Sequence, residues 1–214
     1  MGTLENVSGI LRQCGFDDLK IDEVRSHLYN AGLDGDKIDA LFEIGYFAAP
    51  ASKGHHLNWP GGLVEHSVNV VKRLSDTTYV FGVEWPRAES IYIVGMLHDL
   101  VKCRCYRLKN PAACEGCREP AEYDYIQPSW PGHGVASVMI ATVDLGIRLL
   151  PMEAAAIIHH MGAFGLQGRA LNEFDAALDE FAPAIIATHS ADWAAARIDE
   201  CGCFHDLRAE VPKE

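Results

Sequence analysis

Apolar residues recur at three- and four-residue intervals through most of the chain. Near the start Leu4, Val7, Ile10 and Leu11 form one stripe, Ile21, Val24 and Leu28 a second, and Ile38, Leu41, Phe42 and Ile44 a third. This spacing predicts short amphipathic helices. Gly15, Gly32 and Gly45 fall near their ends, where glycine closes a helix in the left-handed conformation at little cost. Residues 1–50 therefore read as a helical lead-in packed on a main domain over 51–200, with 201–214 as a tail.

The segment from Pro50 to Gly62 is turn chemistry, after which Leu63, Val64, Ser67, Val68, Val71 and Leu74 keep helical spacing and place His66 in the first turns of a helix. A Trp85-Pro86 break comes next. The run Ser90-Ile91-Tyr92-Ile93-Val94-Gly95-Met96-Leu97 is apolar on every side, predicts a buried helix, and ends at His98-Asp99. Residues 103–132 are the least regular part, with Pro111, Pro120, Pro128 and Pro131. A loop of that length inside a compact domain is usually functional or separately braced. Helical spacing returns after Gly132-His133-Gly134 (Val135, Val138, Met139, Val143), after Pro151 (Ala154, Ala155, Ile157, Ile158), and from Phe181 through Ile198. No strand alternation persists, so the predicted class is all-α.

Composition narrows the function classes. The chain has 214 residues, 49% hydrophobic and 22% charged, enough for one globular domain with a sizeable core. No apolar run approaches the ~20 residues of a membrane span. The start Met1-Gly2-Thr3-Leu4-Glu5-Asn6 lacks a basic-then-apolar signal, and Asn6 breaks the myristoylation pattern, so a cytoplasmic location without membrane attachment is expected. A net charge of -12 argues against a duplex nucleic-acid partner, which clustered Lys and Arg would grip. A small phosphorylated ligand remains open, because metal ions reverse the local sign in an acidic protein. Seven cysteines without a signal favour thiols or metal ligation over a disulfide framework.

His98 and Asp99 bury poorly without partners. Neighbours on a helix point about 100° apart, so both reach one site only where it lies beside the helix end. That geometry suits a metal ion. His66, His133, His160 and Asp192 each lie near another apolar helical segment. Imidazoles and carboxylates suit one or two divalent transition ions, such as Mn, Fe or Ni, or Mg, and an aspartate can bridge two. In a two-ion arrangement His133 and His160 complete the second site beside the one held by His66, His98, Asp99 and Asp192. Paired ions can activate water, orient a phosphoester and stabilise a leaving oxygen.

The segments Gly61-Gly62-Leu63-Val64-Glu65-His66-Ser67, Leu97-His98-Asp99-Leu100-Val101-Lys102, Gly132-His133-Gly134, His159-His160-Met161-Gly162 and Ala191-Asp192 resemble, in order and spacing, the HD-domain superfamily of metal-dependent phosphohydrolases. The resemblance spans about residues 55–200 and implies an HD-like helical bundle around one or two metals. It also implies catalytic roles for Asp99 and Lys102, the lysine meeting a phosphate oxygen. Val101 departs from the glycine that many relatives carry before that lysine. His160, preceding Met161-Gly162, fits the ligand role better than His159; His55 and His56 would lie near the site mouth, and His189 shares a helix face with Asp192. The implied activity is hydrolysis of a phosphomonoester or phosphodiester of a nucleotide or related small molecule. Two alternatives keep the fold: a di-iron oxygenase, and a non-catalytic nucleotide-binding protein.

Cys103-Arg104-Cys105 and Cys114-Glu115-Gly116-Cys117 could hold a structural zinc, or be reduced thiols. Arg104, Arg107, Tyr123, Tyr125 and Trp130 in the same segment are candidates for a substrate entrance, as phosphate and stacking partners.

Overall fold

The three N-terminal stripes become α1 (Thr3–Gln13), α2 (Asp18–Asn30) and α3 (Gly35–Glu43) in a computed structural model. It describes residues 3–110, 118, 120–129, 132–163 and 166–201. Asp17 caps α2 by accepting the Lys20 N–H. Gly15, Gly32 and Gly45 close the helices at φ of +81°, +68° and +81°, a backbone that side chains resist. Val7, Leu11, Val24, Leu28 and Leu41 share one apolar core with Leu63, Leu74, Ile93, Met96, Leu97, Ile140 and Ala187. The N-terminal helices are thus continuous with the body that carries the site.

The centre of that body is α4 (Gly62–Phe81), with α5 (Ser90–Leu97) and α9 (Arg169–Ala194) packed along it. A methyl group on Gly95 would stand 2.5 Å from Val71 Cγ2 and 3.0 Å from its Cα, so glycine lets α5 lie against α4. After α6 (Lys102–Cys105) come β1 (Tyr106–Leu108) and β2 (Tyr123–Tyr125), antiparallel with Tyr106 opposite Tyr125 and Leu108 opposite Tyr123. The fold remains all-α, but this small ladder lies in the stretch that showed no alternation, because three residues are too few to display a period of two.

Next come α7 (His133–Met139) with a π-helical turn over Ile140–Asp144, then α8 (Pro151–Ile158). Helix α9 begins twelve residues before the expected Phe181. Its first half is largely exposed, with Phe174 the buried residue there, so it left little apolar stripe to read. Phe181 is non-helical (φ -127°, ψ 19°), and Pro183, which lacks an N–H and crowds the preceding turn, explains the kink. A second π-helical turn, Ala195–Asp199, extends α9. Among the described residues no helix is long and apolar enough to cross a membrane.

One buried carboxylate sets how α5 and α8 lie. Glu153 accepts two bonds of 2.7 Å from Arg87, one of 2.8 Å from Ser90 Oγ and one of 2.8 Å from the Leu150 N–H. Both helices start at this cluster and have eight residues, about 12 Å at 1.5 Å per residue, so their C-terminal ends arrive at the same level.

Candidate metal centre

His66 projects from α4, His98 and Asp99 from the end of α5, His133 from the first residue of α7, His160 from just past α8, and Asp192 from α9. All six expected ligands meet there. His66, His98, Asp99 and His160 are almost wholly buried, while the side chains of Asp192 and His133 are 18% and 30% exposed. The open side of the cluster is therefore that of His133 and Asp192.

Asp99 lies at the middle. Its Oδ1 is 2.5 Å from His133 Nε2 and 3.5 Å from His160 Nε2. Its Oδ2 is 2.5 Å from Lys102 Nζ, 3.3 Å from His98 Nε2 and 3.6 Å from His66 Nε2. The two oxygens thus face different sets of nitrogens. Asp192 Oδ1 lies 3.1 Å from His66 Nε2 and 3.9 Å from His98 Nε2. Ligand atoms in the trios His66–His98–Asp99, His98–His160–Asp192 and Asp99–His133–His160 all lie within 4.8 Å of one another.

The imidazoles are oriented by what their outer nitrogens bond. His98 Nδ1 donates to the Gly95 carbonyl at 2.9 Å, and His160 Nδ1 to the Ile157 carbonyl at 2.7 Å. A carbonyl only accepts, so each Nδ1 carries a hydrogen, and in its neutral form each ring offers an Nε2 lone pair to the cluster. These bonds exist because the last carbonyls of a helix have no N–H from a further turn.

This donor set fits a divalent transition metal. His160 Nε2 is buried and completes no hydrogen bond among the described residues, and His98 Nε2 and His66 Nε2 face each other at 3.3 Å. Buried nitrogens converging on carboxylates in this way could hold a metal ion between them. Burial pulls His66 down, yet the charge of Glu200 and bonds to Asp192 and Glu200 hold it up to about 9. Asp99 is kept well below the usual carboxylate range because Lys102, His98 and His133 outweigh its burial. Lys102, which burial alone would lower, is raised by Asp99 and then Asp192 and is a firm ammonium.

Glu200 was not foreseen. Its carboxylate accepts from His66 Nδ1, with both oxygens at 3.0 Å, and from Asn69 Nδ2 at 3.0 Å. Only its place at the end of a helix pattern marked it in the sequence. His56 stands beside it, its buried Nε2 3.7 Å from Glu200 and without a completed bond among the described residues, and it is lowered to about 4, first by desolvation and then by the charges of His66 and Lys102. His55 is exposed in the loop. His159 points away from the centre and meets Phe174 edge-on. His189 does not orient Asp192: its Nδ1 donates to the His160 carbonyl at 2.7 Å and so steadies that ligand's backbone.

Glycines fix two of the approaches. A methyl group on Gly134 would overlap the Ile158 and Ile157 carbonyls at 2.3 and 2.4 Å, so α7 brings His133 beside His160 only without a side chain there. One on Gly62 would strike the Leu57 carbonyl at 2.0 Å, where the loop folds onto the start of α4.

Cys103 and Cys105 both lie on α6, Cys105 buried and Cys103 half-buried, and neither is in a disulfide. Among the described residues neither belongs to a candidate ligand group, and burial raises both thiols. Cys114 and Cys117, like Trp130, lie outside the described residues. Arg104 pairs with Asp144 at 2.7 Å, and Arg107 lies 3.8 Å from Asp124 across the small ladder. Comparison with family models, curated proteins and solved structures found no match.

Proposed function

We propose that the protein is a metal-dependent phosphohydrolase of the HD-domain type, acting on a phosphomonoester or phosphodiester of a nucleotide or similar small molecule. The observation that carries this reading is the meeting of His66, His98, Asp99, His133, His160 and Asp192 around the two oxygens of one aspartate, with Lys102 at its side. His66, His98, Asp99 and Asp192 would hold one ion, and Asp99, His133 and His160 a second. A bound divalent ion supplies Lewis acidity, for water activation and for neutralising charge at phosphorus.

The chain's own groups do the rest. The Lys102 ammonium has three donors, one of them engaged by Asp99, which leaves hydrogens for a phosphoryl oxygen as charge grows on it. Asp99 keeps Lys102 charged and fixed in place. The more exposed His133 and Asp192 mark the side from which a substrate arrives. The apolar walls from α5 and α4 exclude bulk water from the opposite side, which strengthens each charge interaction inside.

The test, with Mn added, is release of inorganic phosphate from a panel of nucleoside monophosphates and, for a cyclic dinucleotide, formation of the ring-opened linear product followed by chromatography. Turnover of at least one substrate is expected. Lys102→Met should keep the metal and lower kcat by about 10²–10³-fold, the usual cost of removing one charge-stabilising donor. A fully loaded protein that neither releases phosphate from the monophosphates nor opens the cyclic dinucleotide, or a Lys102→Met variant as fast as the native chain, would contradict the reading.

A further inference from the structure

His66 differs from the other histidine ligands in lying inside a long helix. The Leu63 carbonyl, three residues back in α4, already accepts the Ser67 hydroxyl at 2.9 Å, and His66 Nδ1 turns outside its own helix for a partner. The partner comes from 134 positions away: Glu200, its side chain 1% exposed, presents both oxygens at 3.0 Å. A carboxylate buried this far persists only with donors around it, and Asn69 Nδ2 is the second.

The backbone is shaped for this contact. The Glu200 N–H bonds the Ala195 carbonyl at 3.0 Å, the five-residue reach of a π-helical turn. Such a turn holds an extra residue and rotates the next residues of the chain relative to an α-helical path. Two successive carboxylates then land on one stripe of α4: Glu200 on His66 and Asn69, and Asp199 on Arg73, whose Nε lies 2.8 Å from Oδ2. His66, Asn69 and Arg73 stand at i, i+3 and i+7 on a single face.

We propose that Glu200 is a positioning residue of the metal centre: it takes the Nδ1–H of His66, leaves Nε2 as the ligating nitrogen, and makes the turn after α9 part of the site. This rests on the metal reading above. Carboxylates that orient ligating histidines commonly govern affinity as strongly as some ligands do.

The experiment uses the full chain, with Mn dissociation followed by electron paramagnetic resonance of the free ion and the His66 Nδ1–H followed by proton–nitrogen spectra of the zinc-loaded protein. Glu200→Ala is expected to weaken Mn binding by roughly 10–100-fold and to abolish the downfield Nδ1–H resonance. Glu200→Gln keeps an acceptor and is expected to retain the resonance and most of the affinity. Arg73→Gln frees Asp199 while leaving Glu200 alone, and should cost less than about fivefold, as exposed ion pairs do, with the resonance intact. Native affinity in Glu200→Ala, a Gln variant as weak as Ala, or an Arg73→Gln loss equal to that of Glu200→Ala would each overturn the proposal while leaving the metal centre standing. A native protein that binds neither ion overturns the metal reading and the proposal together.

Discussion

His98 and His160 end short helices, and each is aimed by a carbonyl three residues back in its own chain, whereas His66 sits within a long helix and is aimed by a carboxylate 134 residues away. The first pair is set locally. A histidine at a helix C-terminus finds unpaired carbonyls beside it and adopts the tautomer that leaves Nε2 free. The second depends on the whole fold closing, because α9 and its π-helical turn must pack on α4 before Glu200 reaches His66. Both kinds of ligand meet at Asp99, so losing a local ligand should empty the ion position it serves, and losing a distant support should only weaken binding.

The largest effect is expected at the junction of the two. Asp99→Ala removes the carboxylate that both sets of nitrogens face and strands the Lys102 ammonium. Metal affinity should fall by more than the roughly 100-fold upper range for supporting residues, with helicity by circular dichroism largely kept. Retained binding would show that the nitrogens alone make the site.

Next comes the seating of a local ligand. Gly134→Ala forces α7 off the end of α8 and carries His133 away from His160. It should cost about 1–3 kcal/mol in denaturant unfolding, as overpacking does, and weaken metal binding as well. A stability loss with unchanged metal affinity would mean that His133 contributes little to the site.

The smallest effect on the centre should come from the far ends of α5 and α8. Glu153 is raised by burial, but the Arg87 guanidinium, with bonds from Leu150 and Ser90, outweighs this and holds it below its usual range. A carboxyl depressed on folding adds stability above its unfolded pKa of about 4.3 and loses that stability as pH falls through the lower folded value. The native chain should therefore lose stability below about pH 4 more steeply than Glu153→Gln. At neutral pH the variant should be less stable by about 1–3 kcal/mol, with Mn affinity within a few-fold of native. An equal loss of metal affinity would make this cluster part of the centre.

The same local-versus-distant division marks what was legible in the sequence. The N-terminal stripes, the buried run into His98-Asp99 and the helix through His66 all depend on periodicity or chain neighbours, and the structure has helices at each. The six ligands could be named because each sits beside an apolar segment, and they meet in one cluster. Glu200 could not, since its partner is set by a π-helical turn and by packing between helices far apart in the chain. The role of His189 escaped for a similar reason: its face is shared with Asp192, but its hydrogen bond goes to the His160 backbone. The first half of α9 hid because it is mostly solvated, and the small ladder because its strands are too short.

The most direct measurement is the metal content of the protein purified without chelator, beside that of His160→Ala. About two equivalents of Mn, Fe or Ni per chain, falling to about one in the variant, is the result expected of a two-ion centre. No transition metal in the native protein, or a count that His160→Ala leaves unchanged, would contradict it.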